Sequence, residues 1–279
     1  MGAYYNENDH FAAAWLRELI KGGLIADGEI DTRSITEVRP ADLAGLTQCH
    51  FFGGIGVWSY ALRCAGWLDS KPVWTGSCPC QPFSVAGKKE GITDPRHLWP
   101  EWFRLIQECK PVTIFGEQVA AALPWFDIVS GDLEGEDYAV GAAVVGAHSV
   151  GAPHIRQRLY FVADANGRRF KQRDTGQRTV SKPDANGALG DATGRGFGMH
   201  GGAPGSCGRP ALAGFTNGFW RDAVWLPCRD GKARPVEPEI FPLASGIANR
   251  VGLLRGAGNA LTAPVAQAFI EAYLTTVLD

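Results

Sequence analysis

No stretch of about 18 consecutive apolar residues occurs in the 279-residue chain, so the sequence offers no membrane-spanning helix. The first ten residues, Met1 to His10, lack the basic-then-apolar pattern of a secretory leader, and Gly2 lacks the Ser or Thr four positions on that myristoylation prefers. Cysteine is scarce and poorly spaced. The seven cysteines (Cys49, Cys64, Cys78, Cys80, Cys109, Cys207, Cys228) are odd in number, and no pair has C-x-x-C spacing. Cys78 and Cys80 flank a single proline, too tight for a zinc clip or for the usual dithiol redox motif. These absences predict a reducing, cytoplasmic setting with no metal and no membrane. Excess charge is missing too: the formal net charge is −2, which by itself argues against a nucleic-acid binder. What is present is 45% apolar content over a length sufficient to bury roughly three quarters of the unfolded chain's surface.

The charge is nevertheless unevenly placed. Residues 156–234 hold 14 Lys/Arg against 6 Asp/Glu, while the remainder holds 13 basic and 23 acidic residues. A basic segment on an acidic body suits contact with phosphates, although a solvated basic loop has the same composition. The same segment is glycine-rich, with 13 glycines in 165–218. Its DANG echoes at 164–167 and 184–187 are too brief for a solenoid repeat. The expected organisation is a catalytic α/β domain over 1–164, a loop-rich insert over 165–235, and a C-terminal segment, 236–279, that returns to the first domain.

Outside the insert, strand and helix patterns alternate. Strands are expected at 3–5, 45–52, 72–76, 112–116, 139–147 and 158–163, with an extended run from Ile30 to Ile35. Asn8 or Asp9 can cap a helix from His10 to about Lys21, with Phe11, Trp15 and Leu19 on one face and Gly22-Gly23 at its end. Further helices are expected from the glycine loop to about Ala65, near 98–108, and over 263–277. This alternation predicts an α/β sheet covered on both faces, with ligands at the carboxyl ends of its strands. Loops 52–56, 76–84 and 116–119 leave such ends and can share one crevice.

Four clusters carry chemistry. Phe52-Gly53-Gly54-Ile55-Gly56 joins a strand to a helix N-terminus, where glycines admit a ligand to the backbone. In Gly76-Ser77-Cys78-Pro79-Cys80-Gln81-Pro82-Phe83-Ser84, prolines on both sides of Cys80 make a rigid mount for a nucleophile. Cys49, Cys64 and Cys109, by contrast, read as small buried hydrophobes. Glu117, just past an apolar strand, is either a rim residue or an acid/base group. Arg156 and Arg158 alternate along an extended segment, pointing the same way, and either form surface salt bridges or grip an anion or base edge. Trp99 reads as core; Trp220 and Trp225 can fill core or stack on bases.

Together these segments resemble the DNA (cytosine-5) methyltransferase family. Phe52 to Gly56 resembles its F-x-G-x-G loop, and Pro79-Cys80-Gln81-Pro82-Phe83-Ser84 matches its P-C-Q-P-F-S loop without a mismatch. Gly116-Glu117-Gln118-Val119 resembles the E-N-V motif with Gln118 for Asn, and Pro153 to Arg158 resembles P-Q-x-R-x-R with His154 for Gln. Gly258-Asn259-Ala260 resembles the C-terminal G-N-[AS] motif. Only residues 57–75 separate the glycine and cysteine loops. The two intervening family motifs are instead resembled near the N-terminus, by Asn6-Glu7-Asn8-Asp9 and by Asp31-Thr32-Arg33-Ser34-Ile35, so the motif order looks rearranged.

The resemblance implies a Rossmann-like S-adenosylmethionine-dependent methyltransferase fold with a target-recognition insert. It implies that Phe52, Gly54, Ile55, Gly56, Glu7, Asn8, Asp31, Pro79, Leu98, Asn259 and Ala260 hold S-adenosyl-L-methionine, which leaves as S-adenosyl-L-homocysteine. It assigns catalysis to four residues. Cys80 adds to cytosine C6, Glu117 hydrogen-bonds or protonates N3, Arg158 holds O2, and Arg156 orders the catalytic loop or a phosphate. The target base must be flipped out of its stack. The implied partner is double-stranded DNA, bound by a monomer, in restriction-modification or in an orphan or phage role. The rivals are a tRNA cytosine-5 methyltransferase, a non-catalytic cytosine reader, and a thiol redox protein using Cys78 and Cys80.

Overall fold

The computed structural model describes residues 2–79, 98–152, 154–166, 224–227, 233–236, 256 and 258–278. Cys80, Gln81 to Ser84, Pro153, Trp220 and most of the expected insert lie outside these residues. Seven strands are β1 (Ala3–Asn6), β2 (Gly28–Asp31), β3 (Gln48–Phe51), β4 (Val73–Gly76), β5 (Thr113–Val119), β6 (Ala139–Gly146) and β7 (Gln157–Asp164). They form one sheet in the order β2-β1-β3-β4-β5-β7-β6. β2, β1, β3, β4 and β5 are mutually parallel, and β7 runs antiparallel to β5 and β6. The helices are α1 (His10–Lys21), α2 (Val57–Cys64), α3 (Trp99–Cys109), α4 (Leu123–Gly135) and α5 (Ala263–Leu278). Two further strands, β8 (Val224–Pro227) and β9 (Ala233–Val236), pair antiparallel in a separate ladder. The sheet is the expected Rossmann-like α/β arrangement.

Side-chain alternation assigns the faces. Tyr4, Phe51, Trp74 and Ile114 pack under α3 and α4, together with Ile35, Val38 and Leu43 from two short 3-10 turns. On the other face Tyr5 meets Leu16 of α1, while Val73, Phe115 and Tyr160 meet Trp58 of α2 and Val265, Ile270 and Tyr273 of α5. α1, α2 and α5 thus share one face, and the Tyr5 hydroxyl lies 3.0 Å from Ser59 Oγ of α2.

This distribution singles out one crossover by its hand. β1-α1-β2 steps toward the β2 edge over one face; β4-α3-β5 steps the opposite way over the opposite face, so the two have the same hand. The passage from β2 to β3 through the 3-10 turns agrees with them. β3-α2-β4 moves in the direction of β4-α3-β5, yet α2 lies on the α1 face. It therefore has the other hand. About 98% of such crossovers are right-handed, which makes β3-α2-β4 the left-handed one. The arrangement keeps the start of α2 at the glycine loop and its flank against α1 and α5.

Local chemistry accounts for most element boundaries. Asp9 caps α1, its Oδ1 accepting from the Phe11 and Ala12 amides at 2.9 and 3.0 Å, and Gly23 with φ 65° follows its end. The buried face of α1 is Ala12, Ala13 and Leu16 rather than Phe11, Trp15 and Leu19. Small residues let this helix approach the sheet, whereas Trp15 remains 40% exposed and leans on Phe11. The extended run expected from Ile30 to Ile35 ends at Asp31. Ser34 and Glu37 form a capping box that starts a 3-10 turn at Ile35. α4 was absent from the sequence reading; Trp125, Val129 and Leu133 form its buried stripe. Among the predicted buried cysteines, Cys49 is buried, but Cys64 is exposed at the outer end of α2 and Cys109 is half-buried. Trp99 is core, as expected.

A buried polar cluster lies under Tyr5. The His50 ring stacks on Tyr5, and its Nδ1 and Nε2 lie 2.8 Å from Thr75 Oγ1 and 3.3 Å from Gln48 Oε1. Burial lowers the His50 pKa from 6.5 to about 3. The neutral ring's contribution is complete above pH 6.5 and is lost as pH falls toward 3, because the unfolded chain binds the proton first. Between pH 8 and pH 5 this one group should cost about 2 kcal/mol of stability. Urea unfolding of wild type and His50→Gln at both pH values measures it: the wild type should lose that much more than the variant. Equal losses would remove His50 as the cause.

Candidate active site

A cleft of about 570 Å³ opens where the parallel strands end. β1 supplies Asn6 and the loop to Asp9, β3 leads to Phe52, Gly54 and Ile55, and β4 leads to Ser77, Cys78 and Pro79. β5 and β7 supply Glu117, Gln118, Val119 and Arg158, and the C-terminal segment adds Gly256, Gly258, Asn259 and Ala260. The three expected loops thus share one crevice through their described residues. Of the site residues named from sequence, Glu7, Asn8, Phe52, Gly54, Ile55, Pro79, Leu98, Glu117, Arg158, Asn259 and Ala260 line it. Gly56, Asp31 and Arg156 do not, and Cys80 lies outside the described residues, directly after Pro79.

The half of the cleft nearer β1 is built around Glu7. Its carboxylate accepts from the Asp9 amide at 2.8 Å through Oε1 and from the Gly54 amide at 2.7 Å through Oε2, fastening the glycine loop to the start of α1. Phe52 and Gly54 have φ 52° and 53°. A Cβ at Gly54 would meet only the Phe52 carbonyl oxygen, at 3.9 Å, so that glycine leaves open space. Gly56 works differently. Its φ of 78° starts α2, and a Cβ there would press within 3.2 Å of Leu16, Ile25 and Leu19. Asp31 stands behind the lining, accepting from the Tyr4 hydroxyl at 2.7 Å and from Arg33. Burial opposes its ionisation, but Arg33 and Tyr4 outweigh it and hold the carboxyl below its usual range. Its neighbours Arg33, Ser34 and Ile35 reach the cleft instead.

Glu117 anchors the other half. β5 runs on to Val119, so Glu117 lies inside the strand rather than just past it, and it is buried. Pairing with β7 supports that extension, setting Glu117 opposite Tyr160 and Val119 opposite Arg158. The Arg158 Nε lies 3.0 Å from Glu117 Oε1. Burial raises the Glu117 pKa, while Arg158, Ser77 and Arg156 oppose the rise. Beneath the cysteine loop, Gln118 donates to the Cys78 carbonyl at 3.2 Å, and the Trp58 indole donates to Ser77 Oγ at 3.1 Å. Cys78 is itself buried, which pushes its thiol pKa up and disfavours the thiolate that redox exchange needs.

The two arginines do not act side by side. Arg156 has φ 29°, which breaks the extended run before β7. Its guanidinium donates to the Gly258 carbonyl at 2.9 Å and to the Ala260 carbonyl, not to the cysteine-loop residues 77–79. Sequence reasoning did not single out Phe11 and Gly256 as cleft residues, and it named Ser77, Cys78, Gln118 and Arg33 only as members of the expected loops and motifs. The Ser34–Glu37 capping box was the one local signal that the chain turns there.

Among the described residues, no group of three or more His, Cys, Asp or Glu could hold a metal ion, and no helix is long and apolar enough to cross a membrane. Residues 70–196 match the model of the family described as C-5 cytosine-specific DNA methylase. The Type II methyltransferase M.HgiBI of Herpetosiphon aurantiacus is 28% identical over 169 residues, covering 56% of this chain and 36% of that protein. The Type II methyltransferase M.HhaI of Haemophilus parahaemolyticus is 32% identical over 94 residues, covering 32% of this chain and 29% of that protein. The chain therefore spans well under half the length of these curated relatives. A solved Entamoeba histolytica methyltransferase, EhMeth, aligns with a TM-score of 0.40 at 20% identity, covering 58% of this chain and 44% of that one. The family match runs from β4 through β7 and takes in Pro79, Glu117 and Arg158, so this stretch of the chain is similar to the C-5 cytosine-specific DNA methylase family.

Proposed function

We propose that this protein transfers a methyl group from S-adenosylmethionine to C5 of a flipped-out cytosine in duplex DNA. One observation carries the reading: a buried glutamate paired with an arginine, Glu117–Arg158 at 3.0 Å, faces the same cleft as the residue preceding Cys80 and the Glu7–Gly54 clasp.

The donor set in the β1 half of the cleft fits the cofactor. Phe52, Ile35 and Leu98 offer apolar surface for a purine, Glu7 offers an acceptor for ribose hydroxyls, and Gly54 and Gly258 leave space that a Cβ would fill. S-adenosylmethionine supplies an electrophilic methyl group when bound. The chain's own residues prepare the cytosine, whose C5 is a poor nucleophile. The Cys80 thiolate adds to C6, and Glu117, kept protonated more readily by its burial, hydrogen-bonds or protonates N3. C5 then takes the methyl group. Loss of the C5 proton and departure of Cys80 restore the ring. Arg158 is oriented by Glu117 and so is suited to hold the cytosine O2.

The rearranged motif order belongs to the same proposal. β1 and β2, which carry the two displaced motifs, lie together on the outer side of β3, next to the strand that leads to the glycine loop. In this reading 1–164 and 236–279 make the catalytic body, and the basic stretch within 165–235 contacts DNA. Binding to a duplex should then weaken steeply with salt, by about 10³-fold or more from 50 to 200 mM if six or more phosphates are met. A flat response in a filter-binding titration would assign the basic stretch to another partner.

The direct test is incorporation of label from S-[methyl-³H]adenosylmethionine into duplex DNA, single-stranded DNA and tRNA, with bisulfite sequencing of the product. Label in cytosine of the duplex supports the proposal. Label in tRNA alone would replace the substrate, and no label in any of the three would overturn the activity.

A further inference from the structure

The wall of the cleft formed by Gly256 to Ala260 is distant in sequence from the strands it closes. Among the described residues, one side chain hydrogen-bonds across this gap: Arg156 reaches across 102 residues to the Gly258 carbonyl and across 104 to that of Ala260. Both bonds leave from the same terminal nitrogen, Nη2. Among the described residues, no other side chain is seen to hydrogen-bond residues 258–260. The backbone adds one bond, from the Ala260 amide to the Gly256 carbonyl. A Cβ at Gly256 would come within 3.2 Å of Ile55 and 3.8 Å of Phe11, so the wall lies beside the glycine loop and the first turn of α1.

Arg156 occupies a position of unusual backbone cost. A φ of 29° is reluctantly adopted by any residue except glycine. Two residues on, Arg158 holds Glu117. Arg158 lines the cleft and Arg156 does not. The pair therefore divides the work, one guanidinium facing the cleft and the other gripping the wall behind it.

We propose that Arg156 is a positioning residue that fastens the 258–260 wall to the strand carrying Arg158, so that affinity for S-adenosylmethionine depends on a guanidinium outside the cleft lining. The inference rests on the methyltransferase reading and deepens it. Without Arg156 two carbonyls lose their charged donor, and the wall must be ordered when the cofactor binds. That cost falls equally on the ground state and the transition state, so KM rises while kcat holds. A lysine ammonium can also donate to two carbonyls, but from a flexible stem and without the rigid fork, so it should recover only part of the effect.

The experiment compares wild type, Arg156→Ala and Arg156→Lys by steady-state kinetics in both substrates, by calorimetric binding of S-adenosylhomocysteine, and by thermal melting. Arg156→Ala should raise KM for S-adenosylmethionine and Kd for S-adenosylhomocysteine about tenfold or more, the scale of losing charge-assisted hydrogen bonds. Its kcat should stay within about threefold, as expected for a loss of uniform binding, with KM for DNA unchanged and partial recovery in Arg156→Lys. A wild-type KM for S-adenosylmethionine in Arg156→Ala, or a fall in kcat at constant KM, overturns the proposal; the latter would place the guanidinium on the base or the cysteine loop. If the alanine variant does not fold, Arg156→Gln, whose shorter amide cannot span to both carbonyls, is judged by the same criteria. Wild-type protein that binds no S-adenosylhomocysteine would overturn the methyltransferase reading itself, whereas wild-type binding with unaffected variants overturns only the role of Arg156.

Discussion

Cys80→Ala should abolish methyl transfer and leave S-adenosylhomocysteine binding intact. The expectation follows from the separation of labour in the cleft. Glu7, Phe52 and Gly54 form the half suited to the cofactor, and they owe nothing to the thiol. In the proposed mechanism the sulfur has a different task, converting an unreactive C5 into an enamine-like carbon, and no other described group near Pro79 is suited to replace it. Cys78 is two residues away, but it is buried and its thiol is shifted away from the reactive thiolate. Measured by label incorporation, the variant should fall to the background of a no-enzyme control. Residual activity near that of the wild type would remove the covalent step.

Glu117→Gln has the second-largest effect, a slowing of about 10²- to 10⁴-fold, the usual contribution of a positioned acid. Glutamine preserves the size of the side chain and can still donate a hydrogen bond, so loss of rate reports the proton rather than the shape. The wild-type profile adds a check. Burial raises the Glu117 pKa against the pull of Arg158, so its protonated fraction persists to higher pH than in an exposed carboxyl and then declines. In kcat/KM the limb assigned to this acid should fall as pH increases through that raised value, and Glu117→Gln should lack the limb. An unchanged limb in the variant, or a rate within about twofold of wild type, would be too small for an acid catalyst and would remove Glu117 from the role.

The parts of this architecture governed by neighbours in the chain were legible from sequence. Asp9 before an apolar helix, Gly22-Gly23 after it, and glycines next to β3 and β4 marked their elements because caps and turns are local chemistry. The convergence of the glycine, cysteine and glutamate loops followed from strands that end on one side of a parallel sheet. Several features were not legible. α4 carries Gly131 and Gly135, which dilute its helical signal, and its buried stripe is recognisable only against the sheet. The face of α1 was misassigned because bulk suggested Phe11 and Trp15, whereas the buried face is Ala12, Ala13 and Leu16, with Leu16 packed against Tyr5 and Ala3. The partners of Arg156 lie more than a hundred residues away, and no local pattern records such a bond. Alternation along a strand predicted that Arg156 and Arg158 point together, and the positive φ at Arg156 is what separates them. The hand of β3-α2-β4 is likewise a property of the whole sheet.

The central claim concerns a transient bond between carbon and sulfur, and it can be captured. Duplex DNA carrying 5-fluorocytosine at the modified position blocks the final elimination, since fluorine cannot leave C5 as a proton does. Incubated with the protein and S-adenosylmethionine, then digested and analysed by mass spectrometry, it should yield a peptide joined through Cys80 to a methylated fluoropyrimidine. Active protein that releases this duplex with no adduct at Cys80, or with one at another residue, would contradict the account.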